Sequence, residues 1–550
     1  MAILNFKGKA LVQNYHLQVK YHQLIPRKNK SLTEKVSLHD NLIIHGDNLK
    51  ALKALLPTYA GKIKCIYIDP PYNTGNEKWA YNDNVNSLMM QDWLGKVVDK
   101  EDLTRHDKWL CMMVPRLKLL KELLSPDGII AVTIDDNEVF DLGLLMNEIF
   151  GCDRKLAIAP WLAEPSGGKE KTGLRGGHEY VLIYHNGDAS SITQEEHSTG
   201  ELNLQDDMGQ YRKGRELRKW GGTSLRSDRP GQWYPLTAPD GTKSFPIRND
   251  GKEGHWRWGK QNVKMIEILK NRNLVHWEKR PYDNGVTHEG QRERWVPYEK
   301  LRDKKRSIGW GTWLDSCGYN ADGTRELKEI FGRKVFDTPK PTSLIQWIIS
   351  LHCDENAIVL DSFPGSGTTG HAVLALNEED GGNRHFILVE CEDYADKITA
   401  ERVRRVIKGV PKAKDENLKK GLGGTFSYFD LGPPIEMEAI LSGDNFPSYA
   451  DLARYVFYTA TGEEFDPDAI NEKKNFIGES RDYLVYLFYK PDIEYLKATA
   501  LTLDRANALG PYKKKRRLVF APTKYLDQEH LDELRIDFAQ LPFEIYQLVK

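Results

Sequence analysis

The stretch "VLDSFPGSGTTGHAV", Val359 to Val373, decides the fold. An apolar run ends in Asp361 and gives way to Gly365, Gly367 and Gly370, after which helical spacing resumes. That is strand, tight turn and helix, with small residues where a ligand must approach the backbone. No lysine precedes the threonines, so the loop is not a Walker A motif. The next strand, "FILVE", ends in Glu390. An acid at that tip is the usual acceptor for two ribose hydroxyls, which points to a nucleoside cofactor. The run "GSGTTG" also fits a dinucleotide pattern, so spacing alone leaves two cofactor classes open.

Outward from this unit, strand and helix patterns alternate. "NLIIHGDNLKALKALLP" reads as strand, turn and helix, and "GKIKCIYIDPPY" as a strand ending in an acid. "WLCMMVPRLKLLKELLSPDG" has helical spacing with a Pro-Asp-Gly stop, "IIAVTIDDNEVFDLGLLMNEIFG" gives strand then helix, and "HEYVLIYHN" gives a further strand. Such alternation predicts an α/β chain with a doubly wound, mostly parallel sheet.

The middle of the chain differs. Residues 211–310 carry 24 Lys and Arg against 12 Asp and Glu, and seven of the 13 tryptophans. Gly and Pro punctuate them, which predicts a loop-rich domain of short strands. Basic charge interleaved with aromatics suits a nucleic-acid backbone and exposed bases, although a tryptophan core beneath solvated charges reads equally well. The whole chain has 78 basic and 79 acidic residues, so the contrast is regional. The six cysteines lack metal-ligand or disulfide spacing, and neither a signal peptide nor an apolar run long enough to span a membrane is found. These features predict a soluble, cytoplasmic protein.

Chemistry concentrates in "CIYIDPPYNTGNEKWAYND", Cys65 to Asp83. An exocyclic amine on a nucleobase is a poor nucleophile until acceptors take its hydrogens. Asp69 and the carbonyl of Pro70 supply two such acceptors. Pro70 and Pro71 fix the carbonyl's direction, and Tyr72 offers a stacking face to a base that must be flipped out of its duplex. "NTGNEKWAYND" reads as a pocket loop. "IDDNE", Asp135 to Glu138, reads equally as a helix cap or a ligand-binding turn, and His178 as a structural histidine.

"DPPY" together with "DSFPGSGTT" resembles the signature pair of amino-methylating DNA methyltransferases. The resemblance implies a Rossmann-like S-adenosylmethionine-dependent methyltransferase sheet. The catalytic motif precedes the cofactor loop, with the basic region between them, as in the circularly permuted β class. "DPPYNTGNEKWAYND", "IDDNE", "HEYVLIY" and "FDTPKPTSLI" look most like the modification (Mod) subunits of Type III restriction-modification systems.

By that resemblance Asp69, Pro70, Pro71 and Tyr72 form the catalytic tetrapeptide. Asp361, Phe363, Gly365, Gly367 and Thr368 belong to the cofactor loop, and Glu390 lies at the ribose. Asp47 matches an acidic position near the cofactor or target pocket, while Thr338, Lys340 and Pro341 flank the methionine part beside Phe336. Expected domains are an N-terminal extension (1–40), a catalytic half (41–194), an inserted target-recognition domain (195–330), a cofactor-binding half (331–412) and a small C-terminal α/β domain (413–550). No metal is implied. The implied partners are double-stranded DNA, a second copy in a homodimer and a helicase-nuclease restriction subunit.

In the resembling families Asp at the first motif position accompanies adenine, which favours N6 methylation over cytosine N4. No cysteine follows a proline, which argues against ring-carbon methylation. Two other functions are a recognition subunit with methylation secondary, and an NAD-dependent oxidoreductase. The latter leaves Asp-Pro-Pro-Tyr idle.

Overall fold

The computed structural model describes residues 4–74, 104–167, 173–187, 189, 192–198, 200–285, 287–303, 305–435, 446–510 and 514–541. Two compact units emerge, one formed by Met1–Thr193 with Gly311–Lys550 and the other by Gln194–Trp310.

The first unit is built on a nine-stranded sheet. Its strands in chain order are β1 (His22–Pro26), β2 (Leu42–His45), β3 (Ile63–Ile68), β4 (Leu124–Ile134), β5 (Lys155–Leu162), β6 (His178–His185), β7 (Ile358–Asp361), β8 (His385–Glu390) and β9 (Ser427–Pro434). Across the sheet the order is β1-β9-β2-β8-β7-β3-β4-β6-β5. From β9 to β4 every neighbouring pair is parallel, while β1, β6 and β5 pair antiparallel at the edges. The central strands read as near-continuous apolar runs because both faces are covered. Strands late in the chain, β7 and β8, lie between the early strands β2 and β3, as the permuted order requires.

Helix α1 (Asn48–Tyr59) follows β2, α2 (Arg105–Leu123) precedes β4, and α3 (Val139–Phe150) follows it; all three contribute to one apolar cluster. Beyond the insertion come α4 (Asn320–Phe331), α5 (Thr342–Ser350), α6 (Thr368–Asp380) and α7 (Glu401–Lys408). The chain leaves β3 toward β4 but leaves β7 toward β8, in the opposite direction. Adjacent strands that send their connections apart open a crevice at their C-terminal ends, where ligands bind in such sheets.

Several boundaries shift from the sequence reading. The expected extension 1–40 supplies edge strand β1, and the expected C-terminal domain supplies β9. The insertion unit ends at Trp310, not near 330, because α4 belongs with the sheet. The Pro-Asp-Gly expected to stop α2 lies inside β4, where a register shift between Ile63 and Cys65 of β3 absorbs the irregular start. The remaining C-terminal residues form a four-stranded sheet whose second and third strands, Tyr483–Leu487 and Arg516–Ala521, pair in parallel across two short helices.

The insertion unit has a four-stranded antiparallel sheet and a small core around Leu217, Tyr234, Trp256 and Met265. The tryptophans there differ in their surroundings. Trp256 is buried, whereas Trp220, Trp233 and Trp258 lie under Arg218, Arg226 and Arg257 at 4.5, 4.8 and 4.7 Å. No described helix is long and apolar enough to cross a membrane.

Candidate active site

A cavity of about 430 Å³ opens at the crevice between the tips of β3 and β7, within the usual range for small-molecule sites. From the β3 side it is lined by Asp69, Pro70, Pro71 and Tyr72, and from the opposite side by Phe336, Thr338 and Lys340. Asp361, Phe363, Gly365 and Thr368 complete the predicted set. Asp47, Gly367 and Glu390 are not part of this wall. Asp47 caps α1 by accepting from the Lys50 N–H at 3.1 Å, and Glu390 is buried, accepting from the Glu392 N–H at 3.0 Å.

Asp69 stands one residue beyond β3. Its Oδ1 accepts from the Thr133 hydroxyl at 2.6 Å and lies 2.9 Å from the Tyr72 hydroxyl; its Oδ2 accepts from Lys340 Nζ at 2.8 Å. The Tyr72 hydroxyl is also 2.7 Å from Oε2 of Glu179. Burial, reinforced by the charges of Asp69 and Glu179, holds the Tyr72 phenol well above its ordinary range, so it keeps its proton. Burial alone would lower the Lys340 pKa, but Asp69 and Glu179 outweigh it and hold the ammonium form. The same ammonium lies 4.8 Å from the centre of the Tyr72 ring.

The two prolines present different carbonyls. Trp109 of α2 donates its indole N–H to the Pro71 oxygen at 2.6 Å. Among the described residues no donor is found on the Pro70 oxygen. Asn73 follows with a left-handed φ of 56° and is held by Glu138, which also meets His106 Nδ1 at 2.7 Å. "IDDNE" is thus a support for the motif: Asp135 makes a local turn with Asn137, and α3 has no side-chain cap. His178 Nε2 lies 3.0 Å from the Tyr180 hydroxyl. The expected pocket loop lies, from residue 75 onward, outside the described residues.

The glycine loop is held from within and beneath. Asp361 accepts from the Phe363 N–H at 2.9 Å and the Thr369 hydroxyl at 2.5 Å. Burial, aided by the charges of Asp69 and Glu390, pushes its pKa up to about 7 against those two bonds. Gly365 and Gly367 have φ of 49° and 81°, where a side chain is strained. A Cβ on Gly367 would meet the Thr399 carbonyl at 2.9 Å. Thr399 belongs to a π-helical turn, Ala395–Ala400, and donates to the Gly365 oxygen at 2.6 Å. Such turns are frequent at functional sites.

Sequence reasoning missed Arg402, Glu179, Thr133 and Asn320. Arg402 is fully buried and donates to Ser366 and Thr368 at 3.0 and 2.7 Å, stiffening the loop from α7. "ERVRRVI" reads there as an ordinary amphipathic helix. Glu179 sat within "GGHEY", but its partners, Tyr72, Asn320 and Lys340, come from three other segments.

The family described as "DNA methylase" (N6_N4_Mtase) matches residues 63–401, which span both strand tips. The chain belongs to that DNA methylase family. Similar proteins include the Type III restriction-modification enzyme EcoPI Mod subunit of Escherichia phage P1, 29% identical over 80% of this chain and 74% of the relative. The Type II methyltransferase M.KpnI of Klebsiella pneumoniae is 36% identical over 66% of this methylase and 82% of its own length. The StyLTI Mod subunit of Salmonella typhimurium is 30% identical over 84% and 70%.

The methylase draws its methyl group from S-adenosylmethionine, and its residues fit that cofactor. Gly365 lines the cavity at a φ of 49°, so the backbone of the loop lies open to a ligand there without a side chain in between. Beside it, Phe336 and Tyr394 stack edge to face at 5.6 Å on the cavity wall, an apolar surface for the uncharged parts of the ligand.

Proposed function

We propose that the chain methylates the N6 amine of an adenine flipped out of double-stranded DNA, as the modification and recognition subunit of a Type III-like restriction-modification system. One observation carries this reading: Asp69 and Pro70, whose oxygen meets no donor among the described residues, line a cavity whose other wall is the glycine loop. S-adenosylmethionine, when bound, supplies a methyl group already activated by its positive sulfur.

The chain's own residues have four tasks. The glycine loop, with Phe336 and Thr338, holds the cofactor beside β3. Asp69 and the Pro70 carbonyl accept the two amine hydrogens, which frees the nitrogen lone pair to attack. Tyr72 offers its face to the flipped base. Lys340 orients Asp69 through its bond to Oδ2, and Asp69 takes the proton that the amine loses once it has gained a methyl group. Alignment of donor and amine accounts for most of the rate.

The Asp at position 69 favours adenine over cytosine N4, as in the families the chain resembles. The basic insertion unit, with its cation-covered tryptophans, suits DNA recognition. The similarity to two Mod subunits supports a system in which a cytoplasmic homodimer works with a helicase-nuclease restriction subunit. The test combines purified protein, labelled S-adenosylmethionine and unmethylated genomic DNA, followed by nucleoside analysis. Label in N6-methyladenine is expected. Label in N4-methylcytosine overturns the adenine assignment, and unlabelled DNA overturns the reading.

A further inference from the structure

We infer that Glu179 is a positioning residue that draws the Tyr72 hydroxyl and the Lys340 ammonium away from Asp69 when a target amine arrives. The inference rests on amine methylation at Asp69. Both oxygens of that acid are engaged, Oδ1 by Thr133 and Tyr72 and Oδ2 by Lys340. Donors already on a carboxylate weaken it as an acceptor for an incoming N–H. A productive complex therefore needs somewhere else for them to go.

Glu179 is that place. It projects from β6, lines the same cavity, and its Oε1 is held by Asn320 Nδ2 at 3.2 Å. Its Oε2 lies 2.7 Å from the Tyr72 hydroxyl and 3.7 Å from Lys340 Nζ. Tyr72 has one hydroxyl hydrogen between two carboxylates, and it satisfies only one of them at a time. Donation to Glu179 releases Oδ1 of Asp69. A movement of Lys340 by about 1 Å turns its contact with Glu179 into a hydrogen bond and relieves Oδ2. No proton is gained or lost in the exchange; the two donors change partners. Among the described residues, the buried ammonium without Glu179 has only Asp69 to neutralise it and stays there.

The test compares Glu179→Gln and Glu179→Asp with the parent in single-turnover methyl transfer. Alongside it run calorimetry with S-adenosylhomocysteine, DNA binding and thermal melting. Glutamine keeps the shape but loses the charge that attracts Lys340. The expected result is a transfer rate lower by at least about 30-fold, with cofactor and DNA affinities near the parent's and partial recovery in Glu179→Asp. Combined with Tyr72→Phe, the loss should be smaller than the product of the two single losses. A glutamine variant within about threefold of the parent rate, or one whose loss appears only as weaker cofactor binding, overturns the inference. If the glutamine variant does not fold, Glu179→Asp decides alone: a slower rate at unchanged cofactor affinity supports the inference, and an unchanged rate overturns it. A parent enzyme that methylates no adenine fails the functional proposal itself, a separate outcome.

Discussion

Asp69 and Asp361 stand at the tips of two adjacent parallel strands and line one cavity, yet their surroundings are opposite in kind. Asp69 gathers its donors from distant segments, Thr133 on β4 and Lys340 before α5, together with the nearby Tyr72, and its side chain is 23% exposed. Asp361 is 2% exposed and takes its donors from its own loop and α6. The first acid is paired with the Lys340 ammonium and lines the cavity. The second is a structural brace, pushed toward its neutral form by burial. An acid at a strand tip is therefore not a role in itself; the origin of its hydrogen-bond donors distinguishes the two.

The sharpest way to break that comparison is to neutralise both acids in turn. Asp69→Asn should lower methyl transfer by roughly 10²- to 10⁴-fold while S-adenosylhomocysteine still binds in calorimetry. Asparagine is preferable to alanine, which would leave the Lys340 ammonium buried beside a hole. A variant that methylates normally would remove Asp69 from the chemistry and make the two acids equivalent braces.

The sequence made some of this contrast legible and hid the rest. Apolar runs and the tip positions of Asp69, Asp361 and Glu390 were readable because period and local turn chemistry are local properties. The sheet's type followed from alternation. The recruitment of β1 and β9 to the sheet did not, because edge strands look like any short amphipathic run. Glu179, Asn320 and Thr133 come together only through folding, so no spacing rule could place them around Asp69. For Asp361 the motif contained both partners, the Phe363 N–H and the Thr369 hydroxyl, but not the burial that makes it a brace.

A smaller effect is expected on the Asp361 side of the crevice. Gly367→Ala places a methyl group 2.9 Å from the Thr399 carbonyl at a φ of 81°. The strain should cost roughly 1–3 kcal/mol. It should appear as weaker S-adenosylhomocysteine binding in calorimetry, with transfer at saturating cofactor much less affected. That is the reverse of the Asp69→Asn pattern. Equal losses in both measurements would mean that the two walls do not act separately.

The last test is read in stability, not in activity, and asks whether Asp361 is a brace near neutrality. In an unfolded chain its carboxyl ionises near ~3.9, whereas in the folded protein it does so near about 7. The folded value is raised, so between those two values the native state holds a proton that the unfolded state has lost. The contribution of this group to stability is fully present below the unfolded value, declines as pH rises through the window, and levels off above about 7. Asp361→Asn removes the titration while keeping the shape. Its amide oxygen accepts from the Phe363 N–H and its NH₂ donates to the Thr369 oxygen. Urea melts across the window should therefore show the variant gaining on the parent by up to ~1.4 kcal/mol per pH unit, with the difference constant above it. A difference that stays flat throughout would mean that Asp361 is charged in the folded protein at low pH. The contrast between the two strand tips would then rest on geometry alone.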